Sequence, residues 1–311
     1  MYLQHVYLWY NKANMNKLSL KKFLRKYPHN DACLDEIFKR KYSNGVDCVR
    51  CKKVTKYYKI IGRTAYSCEF CRTQVFPLAG TIFEKSTIDL RLWFYAMFLM
   101  IKTRSGVSAK QLERELGVCY KTAHRMFKQI RTLMDENGGD MLKGDVEIDE
   151  TYIGGAGKNR RYVAHFNEKE KQIVMGMIQR SGKSYLKHIP NTGKWTLIKH
   201  IKENVDPKAR IITDQLPGYT QLVKYGYKHD FVNHNETYVK GDIHTQNAES
   251  MWSNLKRGIF GVYRHCSERY LQNYANEYAW RYNNRGLGDG MFDKLLNQVV
   301  LVKVLKVGQL V

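Results

Sequence analysis

The sequence predicts an α/β domain with a mixed sheet, set behind a small cysteine-bearing, β-rich knot and a run of helices. Three observations carry this. From 144 onward, short apolar stretches at 146–149, 172–178, 184–189 and 209–213 read as strands, with helical stretches between and after them. Two Cys-x2-Cys pairs interrupt the chain before that point. The residues between the cysteines and the strands repeat their apolar positions with helical spacing.

In chain order, 1–45 is a short helical lead. Its start has no continuous apolar segment followed by a small-residue cleavage site, so no secretory signal is expected. An intracellular, reducing setting follows, in which the seven cysteines are metal ligands or buried thiols rather than disulfides. The chain has no apolar run long enough to span a bilayer and no separate basic amphipathic tail, so no membrane partner is expected.

The segment 46–78 carries Cys48, Cys51, Cys68 and Cys71. Each pair fits a tight turn that aims two thiolates at one point, and two such turns supply the tetrahedral four-sulfur shell preferred by Zn²⁺. Four protein ligands leave no open position, so this zinc ribbon is expected to be structural. Cys33, Cys119 and Cys266 are left to core packing.

Within 79–137, Leu112 and Leu116 precede Gly117-Val118, and Ala123, Met126, Phe127 and Ile130 follow. Two apolar faces flanking a glycine turn read as a helix-turn-helix. Its second helix turns Lys121, Thr122, His124, Arg125 and Lys128 to its polar sides, suited to a major groove and its phosphates. The formal net charge of +23 and the pI near 9.6 point the same way. Such self-repulsion does nothing for a folded domain by itself and suits a polyanionic partner, with double-stranded DNA the first candidate.

The segment 144–290 holds three acids in a suggestive order. Glu147 and Asp149 alternate with Val146 and Ile148 along one strand. An apolar strand ends on Asp214 before a Pro-Gly turn, and Glu249 opens a helical stretch. Asp149, Asp214 and Glu249, delivered from two strands and a helix, can hold two divalent cations about 4 Å apart. Mg²⁺ (or Mn²⁺) suits the task because it keeps positions for phosphate and water. Lys256 lies about two helical turns beyond Glu249, on the same face, where it can grip a phosphate. Tyr274, Tyr278 and Tyr282 recur every four residues, a core-facing stripe, whereas the neighbouring arginines are better candidates for phosphate contacts.

Several segments together resemble the ISXO2-like transposases, the IS1595/IS1016 group of bacterial insertion sequences with Merlin elements as eukaryotic relatives. They are Asp149-Glu-Thr-Tyr-Ile-Gly-Gly155, Thr213-Asp214 with Gly218-Tyr219, Val232-Asn-His234, and the run from His244 through Glu249, Trp252, Leu255-Lys-Arg257 and Gly261-Val-Tyr263 to Ser267. The similarity runs from about residue 20 to residue 285 and takes in the lead, the ribbon and the helix pair. It implies an RNase H-like DDE domain with Asp149, Asp214 and Glu249 as catalytic triad and Lys256 as the lysine that follows the acid. Arg257 and Arg264 join the expected DNA contacts. The chain departs from the pattern at Gln215-Leu216-Pro217, where a glycine-led turn is more common. Asn247 also departs, standing near Glu249 as a supporting or substitute contact.

The expected function is that of a DNA transposase. It binds the terminal inverted repeats of its own element, cleaves there, and joins the ends to target DNA as a homodimer or larger assembly. It would work in nucleoid-bearing cytoplasm or in a nucleus. The alternatives are a domesticated, catalytically silent DNA-binding protein or an RNase H-like structure-specific nuclease. Residues 291–311 are read as a C-terminal tail.

Overall fold

The computed structural model describes residues 18–136, 139–154, 171–232 and 242–301. Gly155, Asn233 and His234 of the quoted motifs lie outside the described residues, as do 1–17 of the lead and 302–311 of the tail. The chain divides into two compact units. One takes in the residues up to Thr103, Lys110–Leu133 and the stretch from Leu287 onward; the other takes in Arg104–Ala109 and Met134–Gly286.

The first unit opens with two capped helices. The Ser19 hydroxyl accepts from the Lys22 amide at the start of α1 (Leu20–Lys26), and His29 Nδ1 accepts from the Ala32 amide at the start of α2 (Asn30–Lys41). An antiparallel hairpin, β1 (Val46–Cys48) and β2 (Lys53–Thr55), precedes a three-stranded antiparallel sheet of β3 (Tyr57–Lys59), β4 (Tyr66–Cys68) and β5 (Gln74–Val75). The unit's core gathers on α3 (Leu90–Lys102), whose Trp93, Phe94, Met97 and Met100 are fully buried. Next come α4 (Ala109–Leu116) and α5 (Tyr120–Thr132), joined through Gly117 at φ +64°, a backbone position that favours glycine. Leu112, Ala123, Met126, Phe127 and Ile130 are buried, as the apolar spacing predicts.

The stretch read as a tail forms a helix instead, Gly290–Leu301, that completes this core. Phe292 packs edge-on against Phe23 at 5.8 Å and against Phe94 at 6.2 Å, and Arg40 ties Asp293 to Glu36. Its buried positions Phe292, Leu295, Leu296 and Val299 keep the helical period, so the amphipathic pattern was present in the sequence.

The second unit is a five-stranded mixed sheet in the order β10-β9-β6-β7-β8. Its strands are β6 (Asp145–Ile153), β7 (Gln172–Gln179), β8 (Ser184–Ile189), β9 (Arg210–Asp214) and β10 (Lys228–Val232). Three antiparallel strands lead and two parallel ones follow, an order that fits an RNase H-like fold. One face packs Val146, Ile148, Met175, Met177 and Ile211 against Leu197 and Ile201 of α6 (Lys194–Asn204). The other face packs Ile153, Val174 and Leu186 against α7 (Gln246–Arg257) and α8 (Glu268–Asn283). Tyr278 is buried there and Tyr282 packs beside it, while Tyr274 is buried with its ring 4.8 Å from that of Tyr263, so the four-residue stripe faces inward as the sequence predicts. A π-helical turn, Gly258–Tyr263, follows α7. No helix among the described residues is long and apolar enough to cross a membrane.

Candidate functional site

Strand register brings the first two acids together. β6 and β9 run parallel and pair up to Ile148 with Thr213, so the next residue on each strand, Asp149 and Asp214, stands at the same level. Beyond that level, among the described residues, β6 continues to Ile153 paired with β7 alone, which leaves a notch on its β9 side. Side chains from both faces of β6 can lean into this notch. One carboxylate oxygen from each of Asp149, Glu150 and Asp214 lies within 4.8 Å of the other two.

The surroundings orient these groups. Trp252 Nε1 donates to Asp149 Oδ2 at 2.8 Å, and the Glu150 amide donates to Asp149 Oδ1 at 2.9 Å. The Trp252 ring reaches Asp149 because Gly176, its neighbour on β7, has no side chain: a Cβ there would lie 2.6 Å from the ring. The Tyr219 hydroxyl donates to Glu150, and Thr213 accepts from His229 Nε2 at 2.9 Å while donating to the Asp214 carbonyl.

Burial and crowding set the charge state. Burial pushes the Asp149 carboxyl up, the Trp252 bond opposes this, and Asp214 and Glu249 add to it. Glu150 is pushed up to about 8, first by burial and then by Asp149 and Asp214. An oxygen-only donor set under this mutual repulsion suits a hard divalent cation, whose charge would relieve it.

Glu249 stands in the first turn of α7, exposed, and near enough to Asp149 to act on its charge, but it is not among the three clustered carboxyls. Lys256 and the exposed Arg257 occupy the last turn of the same helix, and Arg264 is exposed just past the π turn. Asn247 faces the strand: its amide and its Nδ2 both bind Glu147, at 2.8 and 2.9 Å.

In the first unit, the sulfur atoms of Cys48, Cys51, Cys68 and Cys71 all lie within 4.8 Å of one another. The turn after β1 and the turn after β4 each carry one pair, as the spacing predicts. The Tyr57 hydroxyl beside Cys48 draws that thiol down to about 5. On α5, Lys121 and Arg125 are exposed, and Thr122, His124 and Lys128 are half-buried. Cys33 is buried and Cys266 partly so, but Cys119 departs from the core role expected of it. As the N-cap of α5 it precedes the helix's packed face, is exposed, and meets Thr122 Oγ1 at 3.3 Å.

The roles of four residues escaped the sequence, although three of them lie in its motifs: Glu147, Glu150, Tyr219 and Gly176. Period-2 alternation puts Glu150 on the face opposite Asp149, and only the early end of the β6–β9 pairing lets both reach one notch. The Asp-Glu doublet at the end of an apolar strand was the available signal.

Residues 141–283 match the ISXO2-like transposase domain family. A protein from the transposable element ISH50 of Halobacterium salinarum is 26% identical over 260 residues, covering 78% of this chain and 86% of its own length. Among solved structures the chain is similar to a pre-cleavage Mos1 transpososome, with 10% identity, coverage of 65% of this chain and 77% of that one, and a TM-score of 0.25. It is also similar to a mariner Mos1 paired end complex with Mg, at 12% identity, 64% and 76% coverage, and a TM-score of 0.23. An overlap this slight says nothing of the fold, which the strand order defines. Motif order, the matched residues and the ISH50 relative agree: over residues 141–283 the chain is similar to the ISXO2-like transposase domain family.

Proposed function

We propose that the protein is a DDE-type DNA transposase that cleaves at the terminal inverted repeats of its own element and joins the freed ends to target DNA. The observation that carries this reading is that Asp149 and Asp214 stand one residue beyond the last pair of two parallel strands, with their carboxylates clustered, inside the stretch that matches a transposase domain. Asp149, Asp214 and Glu249 are the catalytic acids, with Glu150 beside them as a fourth carboxyl. Bound Mg²⁺ or Mn²⁺ at these acids supplies a lowered pKa for an attacking water or 3′-hydroxyl and charge stabilisation of the leaving oxygen. The carboxylates orient that centre, Trp252 fixes one oxygen of Asp149, and Lys256 grips the phosphate.

The four cysteines hold a structural Zn²⁺, completing a ribbon that supports end recognition. Helices α4 and α5 act as a helix-turn-helix, with Lys121, Thr122, His124, Arg125 and Lys128 toward DNA and Arg257 and Arg264 contacting phosphates near the acids. Two ends must be held at once, so a homodimer or larger assembly is the working form.

An excision-and-integration assay tests the reading, using a marker flanked by the DNA that borders this gene. The natural chain should move the marker, and Asp214→Asn should abolish movement while leaving end binding nearly intact. Cutting without joining would instead indicate a nuclease. Binding without chemistry in the natural chain would indicate a silent DNA-binding protein.

A further inference from the structure

Glu147 lies two residues before Asp149, on the same face of β6, with its side chain wholly buried. A buried carboxylate persists only when its lone pairs are satisfied, and here the partners come from three directions. The Asn247 amide donates to Oε2 at 2.8 Å and the Ala248 amide at 3.3 Å; Asn247 Nδ2 donates to Oε1 at 2.9 Å. Arg180, just past β7, donates Nε to Oε1 at 2.8 Å and reaches the His244 carbonyl at 3.0 Å with its other arm. His244 Nδ1 stands 3.5 Å from Oε1.

The amide donors belong to the first turn of α7, whose N–H groups need acceptors. Such acceptors ordinarily come from the N-cap side chain, but Thr245 makes no such bond. The cap comes instead from a residue 100 positions earlier, on the strand that carries Asp149. A second tie joins the same two elements where Trp252 meets Asp149. Glu249 lies between the two ties, one residue past buried Ala248, on the flank of the packed face. Apolar contact is non-directional and tolerates a small roll of the helix; hydrogen bonds from a fixed strand do not.

We propose that Glu147 is a positioning residue, whose buried carboxylate fixes the first turn of α7 against β6 and so sets where Glu249 stands relative to Asp149 and Asp214. It touches neither metal nor DNA. The assignment rests on the reading of those acids as the metal-binding site, and it makes Asn247 part of the clamp rather than a substitute ligand.

The test uses the full chain as the natural protein, Glu147→Gln and Asn247→Ala. It follows amide hydrogen exchange over 246–251, Mn²⁺ binding by titration calorimetry, and cleavage of DNA bearing the element's ends. For Glu147→Gln, exchange should quicken at the Asn247 and Ala248 amides while β7 and β8 keep their protection. Mn²⁺ affinity and kcat should fall about 10- to 100-fold, as for other residues that orient ligands, with KM for DNA little changed. Raising Mn²⁺ should recover part of kcat, which no general loss of folding would allow. Asn247→Ala keeps the carboxylate and its Arg180 partner, and should move each quantity the same way by less. Unchanged Mn²⁺ affinity and kcat in Glu147→Gln would overturn the positioning role alone. So would exchange that quickens throughout the sheet in both variants. A natural chain that binds no Mn²⁺ would remove the metal-site reading and this one with it.

Discussion

Trp252 and Glu150 show how much of the site depends on residues beside the expected acids. The indole N–H fixes one oxygen of Asp149, and its ring occupies space that Gly176 leaves free. Trp252→Phe keeps most of the apolar contact and removes the donor. It should lower cleavage kcat about 10-fold or more, as outer-shell substitutions do. The melting temperature should shift only by the equivalent of about 1–2 kcal/mol, read by thermal denaturation beside a cleavage assay. Glu150 makes a pH prediction. Its carboxyl is raised from 4.5 to about 8, so between those values the folded chain keeps a proton that the unfolded chain has released. Stability should therefore fall as pH rises through that window in magnesium-free buffer, with the penalty complete above about 8. Added Mg²⁺ should raise the melting temperature more at the alkaline end than at the acid end; equal gains would contradict the proposed metal site.

At the scale of elements, what the sequence revealed depended on how local the signal was. The cysteine turns, the glycine-broken helix pair and the strand ending on Asp214 each sit within a few residues of their own cause, and each could be read directly. Asp149 was legible because its strand alternates cleanly. Glu150 was not, because its place depends on where β9 stops pairing. Glu147 was hidden for a similar reason, since its partners lie on a helix far along the chain. Cys119 misled because its apolar neighbours belong to a helix that it caps without joining. The cysteine turns make a prediction of their own. Under the proposed zinc site, four thiolates on Zn²⁺ would contribute binding free energy on the order of 10 kcal/mol to the folded ribbon. Cys51→Ser should therefore abolish the one zinc per chain measured by a colorimetric assay, and end binding should drop with it.

For the molecule as a whole, the net charge of +23 is the dominant fact. Affinity for DNA ends should fall steeply with salt, each neutralised phosphate adding about 0.9 to the slope of log affinity against log salt. Arg125→Ala on α5 should reduce that slope by about 1 if it contacts a phosphate, measured by fluorescence anisotropy at several salt concentrations. A slope unchanged by this substitution would remove Arg125 from the contact surface.

The helix over Gly290–Leu301 has a consequence for how the protein comes into being. Phe292 belongs to the same aromatic core as Phe23, Tyr27 and Phe94, yet a ribosome makes it only after the strands of the mixed sheet. The unit whose first helices precede the sheet is therefore completed only after the sheet has been made. During synthesis its aromatic side chains wait partly uncovered while the whole mixed sheet is made and folded, and a nascent chain released early would carry that exposed surface with it.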